Sequence, residues 1–124
     1  MKWPGIQRKA RSNLAPALRG RVDFVVGRYS ETHDGAYGRA WITVDGEKAP
    51  SCGGGDGYPA AEFILDMLEY LDVAPSEALR SETALWRALA VMDRRMTAAA
   101  LEVFDTGTEP DAAVREFYAL RMAS

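Results

Sequence analysis

Residues 20–46 constrain the fold of this chain more than any other part of its sequence. Two segments, 21–29 and 38–44, are rich in β-branched and aromatic residues, which favour β-strands. Asp45-Gly46 follows the second segment and is typical of a two-residue hairpin turn, because both turn positions need positive φ angles. The sequence therefore predicts an antiparallel sheet, and His33, the only histidine, lies between its first two strands.

Side chains alternate along the two predicted strands and so separate into two faces. One face is apolar and is the predicted core side of the sheet: Val22, Phe24, Val26, Ala40, Ile42 and Val44. The other mixes charge with aromatic area: Asp23, Val25, Tyr29, Arg39, Trp41 and Thr43. A face of this second kind is either half covered by another element or used for binding, and the sequence leaves both interpretations open.

Helical periodicity covers most of the remaining chain. An N-terminal helix is predicted to end before Pro16, and a third strand over residues 47–52 would lie at the sheet edge because of Pro50. The glycine-rich run 53–57 is interpreted as a flexible connector. We predict one α+β domain over residues 1–124, with an N-terminal helix in 1–19, a β-meander of two to three strands in 20–52 and a helical part in 58–124. Three to four C-terminal helices are expected to pack on one face of the sheet.

Composition places the chain among ordinary globular proteins, with 48% hydrophobic and 27% charged residues. No apolar run approaches the roughly 20 residues that cross a bilayer, and no signal peptide is predicted. The single cysteine, Cys52, excludes an internal disulfide and a multi-cysteine metal site. We expect a cytoplasmic protein that needs no membrane, metal or cofactor.

Charge is distributed unevenly along the chain. Residues 1–44 carry a net charge of +5 and residues 45–124 carry −8, which gives −3 in total. Such asymmetry marks a surface for a partner of opposite charge, or else two parts of one domain that partly neutralise each other. The basic N-terminal third, with its interleaved aromatic residues, supports nucleic-acid binding as an alternative function. The acidic isoelectric point and the lack of a known binding motif disfavour it.

His33 and Asp34 are the weak catalytic candidates of the chain. Histidine is suited to proton transfer near neutral pH, and a carboxylate can orient it. However, Asp34-Gly35 is also ordinary turn chemistry. No serine, cysteine or second histidine lies at a spacing that completes a triad or a metal site. A small enzyme that acts on an anionic substrate is therefore a further alternative, less favoured than a binding protein.

Three arginines are candidate binding residues in the helical part. Arg94 and Arg95 follow an apolar helical stripe, and Arg87 shares a helix face with Arg94. Clustered arginines can hold a carboxylate or a phosphate through paired hydrogen bonds. They can equally pair with the many acids of this part of the chain, and that interpretation is the favoured one.

Several segments of the chain resemble a family of small, uncharacterised bacterial proteins. They are Met1-Lys-Trp3, Gly38-Arg-Ala-Trp-Ile-Thr-Val-Asp-Gly46, Ala90-Val-Met-Asp-Arg-Arg95 and Phe117-Tyr-Ala-Leu-Arg121. The resemblance runs nearly end to end and supports the predicted fold, but it implies no activity because none is established for that family. Members continue the Asp-Arg-Arg helix with a Gly-Lys-Arg type sequence, which residues 96–101 lack here, and this departure would weaken an anion site built there.

A non-enzymatic protein–protein interaction module is the leading functional hypothesis. It would be of the immunity or accessory type and of the kind carried on mobile DNA. Tyr29, Arg39 and Trp41 form a candidate hot spot, because aromatic residues and arginine dominate such sites. The same face could instead be buried beneath the N-terminal helix or against a second copy. A homodimer is an open alternative, since another copy could pair with the bare edge of a short sheet.

Overall fold

The chain folds into one helix, a small antiparallel sheet and a series of further helices. The structure, a computed structural model, describes residues 2–27 and 38–124. The elements are α1 (Trp3–Asn13), a 3₁₀ turn (Pro16–Leu18), β1 (Val22–Gly27), β2 (Arg39–Val44), β3 (Glu47–Lys48), β4 (Tyr58–Pro59), α2 (Ala60–Tyr70), α3 (Pro75–Ala78), α4 (Ala84–Met92), α5 (Ala98–Leu101) and α6 (Ala112–Ala123). This order confirms the predicted α+β class.

Strand β2 is the centre of the sheet. It pairs along its whole length with β1, so that Val22 lies opposite Val44 and Gly27 lies opposite Arg39. On its other side β2 pairs with β3 near one end and with β4 near the other. The connection from β2 to β3 is the predicted tight turn, with φ angles of 52° at Asp45 and 85° at Gly46. These two positive angles are those that a type I′ turn requires.

The edge opposite β1 differs from the sequence prediction. The sequence predicts a third strand over residues 47–52, but β3 covers only Glu47–Lys48. Pairing continues for one more hydrogen bond, from the Ala49 amide to the Ile42 carbonyl, and then reaches Pro50, which has no N–H to donate. The place beside the other end of β2 is taken by β4, so the described sheet has four strands in place of two to three.

The predicted apolar face of the sheet is the core face. Val22, Phe24, Ala40 and Ile42 are buried, and Val26 and Val44 at the ends are partly buried against the same core. Helix α2 contacts β2, while α4 packs against both α2 and α6. Five helices follow the sheet in the part of the chain that the structure describes, and α3 and α5 are only four residues long. None of the helices in residues 2–27 and 38–124 is long and apolar enough to span a membrane.

Helix α1 covers the free edge of β1. The Nε2 atom of Gln7 donates to the carbonyl oxygen of Phe24 at 2.7 Å, and the Phe24 amide donates to Oδ1 of Asp23 at 2.8 Å. Arg11, one turn further along α1, binds the same Asp23 carboxylate through Nε and Nη2, both at 2.8 Å. An edge strand can pair with another chain through its unpaired backbone N–H and C=O groups. At Phe24 both groups already form hydrogen bonds with side chains.

Candidate functional site

The side of the sheet opposite the core carries the outer sheet face, which we define as Val25, Arg39, Trp41, Thr43 and Lys48. Val25 lies directly opposite Trp41 and is 40% exposed. Lys48 of β3 lies opposite Thr43, and its Nζ atom is 3.6 Å from the centre of the Trp41 ring. Arg39, Trp41 and Thr43 are partly exposed. The face therefore combines apolar area with two positive charges.

The Trp41 ring is held in a fixed position at the centre of this face. Gly57, in the connector before β4, has a φ of 86°, and a Cβ atom there would lie 3.0 Å from Cε2 and Cζ2 of the ring. Only glycine therefore lets the backbone and the indole approach so closely. The Lys48 ammonium packs on the ring as a cation–π contact, which is worth about 0.5–1 kcal/mol at an exposed site. The indole is thus oriented before any partner binds.

Several sequence-predicted residues lie elsewhere or are not described. Tyr29, His33 and Asp34 fall in residues 28–37, outside the described part of the chain. Of the predicted hot spot, Arg39 and Trp41 are brought together on the outer sheet face. Within residues 2–27 and 38–124, no three His, Cys, Asp or Glu side chains form a group that could hold a metal ion.

Arg87 forms an ion pair of its own, apart from Arg94 and Arg95. Its Nε and Nη2 atoms bind the two carboxylate oxygens of Glu109 at 2.8 and 2.9 Å, and its Nη1 atom donates to the Ser81 carbonyl at 2.8 Å. Glu109 is only 7% exposed. Burial acts to raise the pKa of Glu109, but the hydrogen bonds from Arg87 and the Asp111 amide outweigh it and hold this pKa below its ordinary value. The pair fastens α4 to the segment before α6.

Arg95 binds the buried carboxylate of Asp93. Its Nε and Nη2 atoms lie 3.0 and 2.9 Å from Oδ1 and Oδ2, and its amide donates to Oδ1 at 2.9 Å. The hydroxyl of Tyr70 donates to Oδ2 at 2.8 Å. Burial, and then the charge of Asp93, raise the pKa of Tyr70, so its hydroxyl stays protonated and remains a donor. The Asp93 carboxylate thus links the end of α4 to α2.

Arg94 points to α1. Its amide donates to the Asn13 carbonyl at 2.7 Å, and its Nε atom lies 3.1 Å from the Ser12 carbonyl oxygen. Asp93 forms an isolated β-bridge with Leu14 beside these contacts. The structure therefore places Arg94 next to Arg95 in the chain but directs the two guanidinium groups to different partners.

The glycine-rich connector and Cys52 are held against the start of α6. The Gly53 amide donates to Oδ2 of Asp111 at 2.7 Å, while Oδ1 of the same side chain caps α6 by accepting from Ala113 and Val114. Cys52 is buried beside this contact. Burial, and then the negative charge of Asp111, raise the pKa of its thiol to about 12. A thiol of this kind is protonated at neutral pH and is a poor nucleophile.

A family comparison covers almost the whole chain. The model of the SF0329 protein family matches residues 2–53 and 55–122. The chain belongs to the SF0329 family. No curated protein and no solved structure matches it. The SF0329 family is uncharacterised, which agrees with the resemblance drawn from the sequence and brings no activity with it.

Sequence reasoning missed three partners that this SF0329 family member uses. Lys48 was not assigned to the outer sheet face, and Glu109 was not recognised as the partner of Arg87. Arg121 of α6 was also missed, although it donates to the carbonyl oxygens of Val91 and Asp93 at 3.1 and 2.9 Å. The available signal for Glu109 was its position in an acidic segment, Thr108-Glu-Pro-Asp111, directly before α6. The Asp45-Gly46 turn was the available signal for Lys48, because it pairs β3 with β2 and places Lys48 opposite Thr43.

Proposed function

We propose that this SF0329 family member is a non-enzymatic protein–protein interaction module of the immunity or accessory type, and that it binds its partner through the outer sheet face. The observation that carries the proposal is the Trp41 ring, which is held by Gly57 and Lys48 on the side of the sheet away from the core. Tryptophan and arginine are enriched among the residues that dominate binding energies at protein interfaces.

Rigidity makes this face suited to binding. An indole that is already oriented loses little conformational freedom when a partner covers it, and side chains that must be immobilised cost about 0.5–1.5 kcal/mol each. Val25 extends the apolar area beside Trp41, since the two lie opposite each other on β1 and β2. The centre of the proposed interface is therefore apolar and pre-formed.

Charge indicates what kind of partner fits. Arg39 and Lys48 bring two positive charges to the outer sheet face. Asp23, on the same side of β1, is already paired with Arg11. A partner surface with an apolar centre and acidic side chains at its rim would complement this arrangement. Nucleic acid fits the outer sheet face less well, because this face offers a single tryptophan and no row of cations.

Capture from a bacterial lysate tests the proposal with a matched pair of variants. Val25→Glu places a charge on the outer sheet face, while Leu65→Glu makes the same change at α2, where Leu65 is 53% exposed. We expect the wild-type chain and Leu65→Glu to retain one discrete protein at high salt, and Val25→Glu to lose it. Retention by Val25→Glu, or equal loss by both variants, would contradict the proposed surface. Recovery of nucleic acid that disappears as salt rises would favour the alternative function.

A further inference from the structure

We propose that Arg19 and Arg94 form a binding site for a phosphate oxyanion at the C-terminal end of α1. Both donate to the same acceptor, the carbonyl oxygen of Ser12, with Arg19 Nη2 at 2.9 Å and Arg94 Nε at 3.1 Å. The two nitrogen atoms are therefore no more than about 6 Å apart, the sum of the two bond lengths. The fold thus brings together two cations from opposite halves of the sequence.

Contacts with the backbone of α1 fix both arginines while leaving most of their donors for a ligand. Arg19 also donates Nε to the Leu14 carbonyl at 3.1 Å, and the Arg94 amide donates to the Asn13 carbonyl at 2.7 Å. A guanidinium group carries five N–H donors, and these contacts use two from Arg19 and one from Arg94. Both residues are exposed, and neither pairs with a carboxylate among the residues that the structure describes.

A surface pocket of about 280 Å³ reaches the Arg19 end of the site; it is also lined by Arg11, Val22 and Asp23, whereas Arg94 does not line it. Arg11 holds the Asp23 carboxylate at 2.8 Å, so this negative charge is already compensated. Arg19 therefore supplies the uncompensated positive charge of the pocket.

A phosphate group fits this arrangement better than a carboxylate. Its oxygen atoms are arranged tetrahedrally and can accept from two separate guanidinium groups, whereas a planar carboxylate matches a single one. Binding also relieves the repulsion between two cations that are held close together. Both a free phosphate and the phosphodiester backbone of a nucleic acid present the required group.

Titration of the full-length chain with inorganic phosphate tests the site, against chloride at equal ionic strength. A labelled single-stranded DNA oligonucleotide, titrated with and without competing phosphate, serves as the second probe. The variants are Arg19→Gln, Arg94→Gln and Arg94→Lys, which keeps the charge but loses the guanidinium fork. Lys9→Gln is the matched control, since it removes one exposed positive charge from α1 without touching the Ser12 carbonyl. Melting temperatures without phosphate show that each variant is folded.

We expect phosphate binding by the wild-type chain, an at least tenfold weaker affinity in each arginine variant and less than a twofold change in Lys9→Gln. Oligonucleotide binding that phosphate displaces and that the same arginine variants weaken would also support the site, and would identify the phosphodiester backbone as the source of the phosphate. Phosphate binding without oligonucleotide binding would support the site with a small phosphate ligand. No phosphate effect beyond that of chloride, or equal losses in Lys9→Gln and the arginine variants, would overturn the proposal.

Discussion

Arg95 and Asp93, which are two positions apart in the chain, form a bidentate ion pair. The Asp93 side chain is 1% exposed and the Arg95 side chain is 37% exposed. Tyr70 from α2 donates to the same carboxylate. On the backbone side, Arg121 from α6 donates to the Asp93 carbonyl, and Leu14 forms a bridge with Asp93. The end of α4 is thereby joined to three other parts of the fold. Asp93 and Arg95 stabilise the junction, whereas Arg94 beside them keeps donors free on the surface.

The unequal burial of the pair predicts unequal costs of breaking it. Arg95→Gln leaves the buried Asp93 carboxylate without its counter-charge, which we expect to cost about 3 kcal/mol of the free energy of unfolding. Asp93→Asn leaves a partly exposed guanidinium that water can solvate, and we expect a smaller cost of about 1–2 kcal/mol. Urea denaturation of both variants measures the difference. A larger loss in Asp93→Asn would show that the carboxylate does not depend on Arg95.

The Arg87–Glu109 pair predicts a loss of stability in acid. The folded state lowers the pKa of Glu109 below its ordinary value of 4.5, so the unfolded chain binds a proton more readily than the folded chain does. This contribution is complete above pH 4.5 and is lost as the pH falls through the lowered pKa. We expect Glu109→Gln to reduce the free energy of unfolding at pH 7 and to flatten its decline between pH 5 and pH 3. Glu102→Gln removes one carboxylate at an exposed position and is the matched control.

Gly57 and Gly54 allow backbone strain to be separated from the contact with Trp41. Both have positive φ angles, 86° and 82°, but a Cβ atom meets the indole only at Gly57. We expect Gly54→Ala to cost about 1–2 kcal/mol, the penalty of a left-handed conformation. Gly57→Ala should cost clearly more because the ring must also move. Equal free energies of unfolding for the two variants would mean that Trp41 is not held against the connector.

Cys52 provides a probe of opening at the start of α6. Its thiol is buried and has a pKa of about 12, so it is almost entirely protonated at pH 8 and reacts slowly. We expect labelling by a thiol reagent to follow the opening of the fold, and to accelerate in Asp111→Ala, which loses both the α6 cap and the bond to Gly53. Immediate labelling of the folded wild-type chain would contradict the burial of this thiol.

Much of the fold could be predicted because its signals are local. The alternation of apolar side chains identified the core face of β1 and β2, and Asp45-Gly46 identified the turn that the φ angles confirm. Pairings between distant segments had no such signal. Strand β4 has only two residues, too few to show the alternation of apolar and polar side chains that marks a strand. Tyr70 reaches Asp93 only because α2 and α4 pack together.

The candidate site was predictable only in part for the same reason. Alternation placed Arg39 and Trp41 on one face, and the structure puts them there. The sequence could not show whether the Arg94 side chain lies beside Arg87 or Arg95. Its position depends on α1, because Arg94 donates to the Ser12 carbonyl oxygen, which is far away in sequence. The helix periodicity that grouped Arg87 with Arg94 ends at Met92, where α4 ends.

The affinity of Trp41→Ala for the captured partner, measured together with its melting temperature, shows whether the outer sheet face is the binding surface. The indole is only partly buried, so we expect this variant to remain folded and its binding to weaken by at least 2 kcal/mol, roughly thirtyfold, as for a residue at the centre of an interface. The proposed interface is contradicted if Trp41→Ala stays folded and binds the partner as tightly as the wild-type chain. It is contradicted equally if Trp41→Ala unfolds while Val25→Glu retains full affinity.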